Sequence, residues 1–80
     1  MPTIKDISGP FRLFFYSLDC VEPIHVHAER DRATCKFWME PVTLVSNHGF
    51  STQELSRIRR IILERQEQIT EAWNEYCSKP

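Results

Sequence analysis

The chain has 80 residues, with ten Lys and Arg against eleven Asp and Glu for a formal net charge of −1. That length holds one domain, expected to span residues 1–80, with a thin core that removes only about 60–65% of the unfolded surface from water. So balanced a charge sets up no global field to gather a polyanion, and a nucleic acid would have to be held by a local patch.

Three cysteines, Cys20, Cys35 and Cys77, make an odd number with no C-x-x-C spacing. This excludes a disulfide framework, predicts small buried or incidental thiols, and fits a reducing, cytoplasmic compartment. The opening "MPTIKDISGP" has no apolar signal-peptide core. Apolar runs such as "LFFY" fall far short of the roughly 20 residues that cross a bilayer. A soluble protein with no membrane partner is expected.

The first half, 1–46, reads as strands. "TIKDI" alternates apolar and polar residues before Ser8-Gly9-Pro10 interrupts it. "FRLFFYS" (11–17) is aromatic-rich, which suits a pleated, half-buried element. "LDCVEP" is a loop. "IHVHAER" and "RATCKFWM" are two strands joined tightly at Asp31-Arg32, and "VTLV" (42–45) adds a short strand before the turn "SNHG".

The second half, 51–78, reads as one helix. Ser51 followed by Glu54 forms a capping box, in which hydroxyl and carboxylate each satisfy an otherwise orphan backbone N–H. Leu55, Ile58, Ile62, Ile69, Ala72, Trp73 and Tyr76 follow at helical spacing and give one apolar stripe. The expected architecture is α+β: an antiparallel sheet of four to five strands with one long C-terminal helix packed on one face. Such a helix would run about 40 Å, against about 23 Å for a seven-residue strand. Either it bends near Gln66–Gln68, where the stripe thins, or its end overhangs the sheet with Trp73 and Tyr76 offered to a partner; the overhang is the favoured expectation.

Chemistry concentrates in the hairpin. Residues two apart on a strand share a side. A two-residue loop at Asp31-Arg32 sets Arg30 opposite Ala33, Ala28 opposite Cys35, Val26 opposite Phe37, His27 opposite Lys36 and His25 opposite Trp38. One face is then Val26, Ala28, Cys35 and Phe37, a core face. The other is His25, His27, Glu29, Thr34, Lys36 and Trp38, expected to be the wetter one. A slip of one residue would mix the sets, so the clean sorting favours this register. The wetter face reads as a solvated strand surface, as a partner surface built around an exposed Trp, or as a general acid/base pair. In the last case His25 and His27 would divide proton transfer while Lys36 stabilises charge on a phosphate, as in metal-independent ribonucleases.

No metal or other cofactor is expected. Two His at i, i+2 supply half of a zinc site, and the rest would have to come from Asp19, Glu29, Glu40 or His48 without ligand-like spacing. No nucleophile motif or phosphate loop is present, and the chain has only two glycines. On the helix, Arg57, Arg59, Arg60 and Arg65 precede an acidic half with Glu64, Glu67, Glu71 and Glu75. This is a solvated face or, with Arg57 and Arg60, a basic patch for an acidic partner or an RNA backbone.

"MPTI", "FFYS" followed by Asp19, "EPIHVHAE", "KFWMEPV", "NHGFS" and "EAWNEY" together resemble the small bacterial family called domain of unknown function 4160, in order over nearly the whole chain. The family's pattern around the histidines resembles P-P-H-V-H; Ile24 stands where the second proline would be, and Pro23, His25, Val26 and His27 match. No activity or catalytic residue comes with the resemblance. Its members tend to be encoded beside another small protein, an arrangement similar to toxin–antitoxin pairs or mobile-element accessory modules, which implies a partner-binding role. The leading expectation is therefore a protein–protein interaction module, with another protein as hetero-partner or a second copy. Its contacts would be His25, His27, Glu29, Lys36, Trp38, Arg57, Arg60, Trp73 and Tyr76. The alternative is a histidine-dependent ribonuclease toxin using His25, His27 and Lys36.

Overall fold

The computed structural model describes residues 3–4, 9–16 and 19–77. In chain order it has β1 (Arg12–Phe14), a 3₁₀ turn (Asp19–Val21), β2 (His25–Arg30), β3 (Ala33–Met39), β4 (Val42–His48), α1 (Thr52–Glu64) and α2 (Gln66–Cys77). The strands form one antiparallel sheet in the order β1-β2-β3-β4. The α+β class holds, with four strands and two helices among the described residues, not five strands and one helix.

The central hairpin has the register its hydrophobic pattern demands: Arg30 faces Ala33, Ala28 faces Cys35, Val26 faces Phe37, and His25 faces Trp38. Asp31 turns the chain at φ +55°, a left-handed conformation that Asp adopts more readily than most residues. Val26, Ala28, Cys35, Phe37 and Met39 are all at most 2% exposed, and they form one core with Leu13, Ile58, Ile62 and Ile69. That places the helices over one sheet face.

The outer strands depart from expectation. Only Thr3, bridging Phe14, and Ile4, whose N–H donates to the Leu13 carbonyl at 2.9 Å, represent the expected first strand; residues 5–8 lie outside the described residues, as does Ser17 of the second. β1 keeps three residues of the expected seven. β4 instead runs past Val45 through His48. The register shifts between Lys36 and Phe37, so Lys36 faces Ser46 and Phe37 faces Leu44, with Val45 as the extra residue of a bulge. A bulge breaks the period of two, which is why "SNH" looks like a turn in sequence. The turn comes at Gly49, at φ +104°, where a Cβ would stand 3.3 Å from the Ala33 Cβ. Asn47 locks it: its side-chain amide donates to the Phe50 carbonyl and its Oδ1 accepts from the Phe50 N–H, both at 3.0 Å.

The capping box at Ser51 and Glu54 forms as expected. The single long helix does not. Arg65, at φ −111° and ψ 19°, ends α1, and Gln66 at the start of α2 donates its side-chain amide to the Met39 carbonyl at 3.2 Å. The cause is legible in the stripe: between the buried Ile62 and Ile69 stand Glu64, Arg65, Gln66, Glu67 and Gln68, which give the helix nothing to bury. The end of α2 does not hang free either. Trp73 is 7% exposed, edge-on to Phe15 at 5.2 Å and to His25 at 5.1 Å, and Tyr76 is half-buried. Cys77 closes the helix in a disulfide with Cys20. This overturns the expectation of three incidental thiols, and the cysteine content then ceases to argue for a reducing compartment. The two cysteines lie 57 residues apart, and only the fold brings their Cα atoms to 5.5 Å. Cys35 is free and buried, as expected. No described helix is long and apolar enough to cross a membrane.

Candidate functional site

Two surfaces compete for function, and they differ in how far the protein satisfies its own groups. The first is the sheet face away from the helices. The register puts Arg12 and Phe14 of β1, His25, His27 and Glu29 of β2, and Lys36 and Trp38 of β3 on this side. The sequence predicts this to be the wetter face, and His27, Glu29, Thr34, Lys36 and Trp38 are half-buried against a core face at most 2% exposed; His25, fully enclosed, is the exception.

The face carries a second, smaller aromatic core. His27 stacks on Phe14 with ring centroids 5.4 Å apart and meets Tyr16 edge-on at 4.6 Å. Phe14 is 1% exposed yet stands outside the main core. His25 is fully enclosed, edge-on to His27 at 5.1 Å, to Trp38 at 5.6 Å and to Trp73 at 5.1 Å. Its Nδ1 lies 2.9 Å from the Pro23 carbonyl. A carbonyl only accepts, so Nδ1 carries the proton in that bond. The loop before β2 thus fixes the tautomer of the ring that begins β2.

Charges on this face are paired off. Arg12 lies 4.9 Å over the Phe14 ring and pairs with Glu29. Lys36 lies 4.7 Å from the Trp38 ring centre and pairs with Glu22 at 2.6 Å. Of the residues singled out in sequence, His25, His27, Lys36, Trp38 and Trp73 therefore do come together. The reason is mutual packing, with His25 and Trp73 as interior members closed to an outside molecule. Glu29 belongs to the far, Arg12 end of the strip. Arg57 and Arg60 stand exposed on α1, across the sheet. Sequence reasoning missed Arg12, Phe14, Tyr16 and Glu22. The signal for the first three was the i, i+2, i+4 spacing within "FRLFFYS".

Cys35, on the core face, is chemically quiet. Burial pushes its thiol up to about 11, against the smaller opposing effect of its hydrogen bond with the Ala28 backbone, so at neutral pH it is not a nucleophile. Glu54 is held below its ordinary range, first by the Ser51 backbone N–H, with Arg30 and Arg57 adding to the effect. Among the described residues no three His, Cys, Asp or Glu side chains converge as metal ligands would.

The second surface is the edge of the sheet. β4 pairs with β3 on one side and with no described strand on the other. Leu44 and Val45, mid-strand, are each 41% exposed. Between β4 and α1 runs an open groove lined by Phe37, Val42, Leu44, Thr52, Leu55 and Arg59 among others. Bulge and groove were both invisible to periodicity, and "VTLV" drew attention only as a strand.

Comparison with curated proteins and with solved structures returned no match. The family model described as Domain of unknown function (DUF4160) matches residues 11–74, from one residue before β1 to one residue beyond Trp73. That span covers every strand among the described residues, α1 and most of α2, and the chain belongs to the DUF4160 family.

Proposed function

We propose that this protein is a protein-interaction module, one half of a two-component pair, and that its partner docks on the open edge of β4 beside α1. The observation that carries the reading is a seven-residue edge strand with two exposed aliphatic side chains at its centre. Edge strands are templates for pairing, and stable soluble proteins usually blunt them with charge, proline, a bulge or a covering element. β4 carries the bulge at Val45 but no Lys, Arg, Asp or Glu among its seven residues, and its centre exposes Leu44 and Val45. Adding a strand from a partner joins main-chain hydrogen bonds to an apolar groove, a recurrent way of recognising a polypeptide.

Acid/base catalysis by His25 and His27 finds less support. An imidazole that moves protons for a substrate must come within hydrogen-bond reach of it, and His25 lies beneath Trp38 and Trp73.

The test is solution mass. Tagged protein purified from its native host is expected to carry a stoichiometric companion that Leu44→Lys and Val45→Lys lose while their circular dichroism stays unchanged. A stable wild-type monomer without companion, or variants that keep it, would contradict the reading.

A further inference from the structure

The disulfide stands where the two coverings of His25 meet. We propose that Cys20–Cys77 is a redox latch: oxidised, it keeps the His25 imidazole enclosed, and its reduction to two thiols opens that place locally. This goes beyond the interaction role above and does not rest on the β4 edge.

His25 is covered from two directions. On one side is the turn before β2, where the Pro23 carbonyl lies 2.9 Å from Nδ1 and Glu22 Oε1 lies 3.8 Å from it. The same Glu22 oxygen pairs with Lys36 at 2.6 Å. On the other side is α2, whose Trp73 ring stands 5.1 Å from the imidazole. Cys20 belongs to the turn, and Cys77 ends α2 one helical turn beyond Trp73, on the same helix face. A single bond therefore ties the two coverings together.

Neither covering is well anchored without it. Cys20, Val21, Glu22 and Pro23 are all exposed, so this stretch of the turn buries no side chain of its own. The twelve residues of α2 bury only Ile69 and Trp73, and a helix of that length is marginal unless packed. Segments with little buried apolar surface open locally, ahead of the rest of a fold. The rest of this fold does not share the weakness. Val26, Ala28, Phe37, Ile58 and Ile62 are at most 2% exposed, and α1 has its own capping box.

The bond is also within reach. Cys20 is exposed, so an external thiolate can attack its sulfur, whereas Cys35 is buried and takes no part. The co-reactant is a dithiol. Its thiolate attacks Cys20 Sγ, a mixed disulfide forms, and Cys77 Sγ leaves as a thiolate that takes up a proton. The second thiol of the reductant then displaces Cys20 Sγ, which is protonated in turn, and the reductant departs as its disulfide. Two electrons and two protons pass to the protein. Closure over a span of 57 residues is then left to packing alone.

The experiment compares the full chain, oxidised, with the same protein after dithiothreitol and anaerobic desalting. Diethyl pyrocarbonate acylates unprotonated imidazoles, and mass spectrometry maps its reaction at His25 against exposed His48 as the internal standard. Oxidised protein is expected to react at His48 and hardly at His25. Reduction should speed His25 about tenfold relative to His48. It should also raise amide exchange over 70–77 while the amides of β2 and β3 stay protected, and reoxidation should restore the slow rate. The double variant Cys20→Ser, Cys77→Ser should react at the fast rate with or without dithiothreitol. Equal His25 rates in the oxidised and reduced protein would overturn the proposal. Loss of protection across β2 and β3 on reduction would overturn it too, since the bond would then stabilise the whole fold and latch nothing in particular.

Discussion

The two faces of this small sheet make opposite use of similar material. On the β1–β3 face, aromatic rings, imidazoles and cations close on one another until His25 and Phe14 are as buried as the main core. At the β4 edge, an aliphatic pair and Arg59 are left open. The histidine-rich face is the one rich in reactive side chains, yet the plainer edge has the unmet valences: backbone hydrogen bonds, apolar area and charge. Which side chains are present tells less about a binding site than which of them the fold has already satisfied.

Truncation should separate the two regions most sharply. Trp73→Ala and Phe14→Ala each remove a ring packed on its neighbours and should cost about 3–5 kcal/mol of stability in urea unfolding. Leu44→Ala or Val45→Ala, taken at exposed positions, should stay within about 0.5 kcal/mol. Comparable losses at both would erase the distinction between a closed face and an open edge.

The disulfide comes next in size. It clasps the end of α2, and with it Trp73, to the turn before β2, closing a span of 57 residues. Replacing Cys20 and Cys77 together by Ser should cost about 2–4 kcal/mol. A reductant should lower the wild-type melting temperature and leave that of the double variant unmoved. If reduction has no effect on the wild type, the clasp does not hold the aromatic face shut.

A smaller effect lies at high pH. Cys35 has its folded-state pKa raised from 9.0 to about 11. A thiol whose charged form the fold disfavours contributes stability that is fully present below pH 9 and is lost as pH rises through about 11. The stability of wild type should fall across that window relative to Cys35→Ala. Below it, native protein without reductant should resist alkylation at all three cysteines, and denaturant alone should expose one.

The hairpin register, its core residues and the capping box were legible because each follows from local spacing: period two across Asp31-Arg32 and the Ser51–Glu54 offset. The break at Arg65 was half legible, as a thinning stripe and an excessive length, but whether a long helix bends or overhangs depends on what meets its far end. Phe15, His25 and Cys20 meet it, and all lie far away in sequence. The β4 bulge was hidden because inserting Val45 reverses the alternation that strand reading relies on. The histidines were found, and their face was correctly assigned. The burial of His25 was not legible, because Trp73 covers it from a segment outside the hairpin.

The account stands on where a partner touches the protein. Amide hydrogen exchange of the protein alone and with its stoichiometric companion measures this directly. Protection gained along Val42–His48 and the neighbouring flank of α1, with none gained on β2, is the predicted result. Protection gained on β2 around His27, with β4 unchanged, would contradict it.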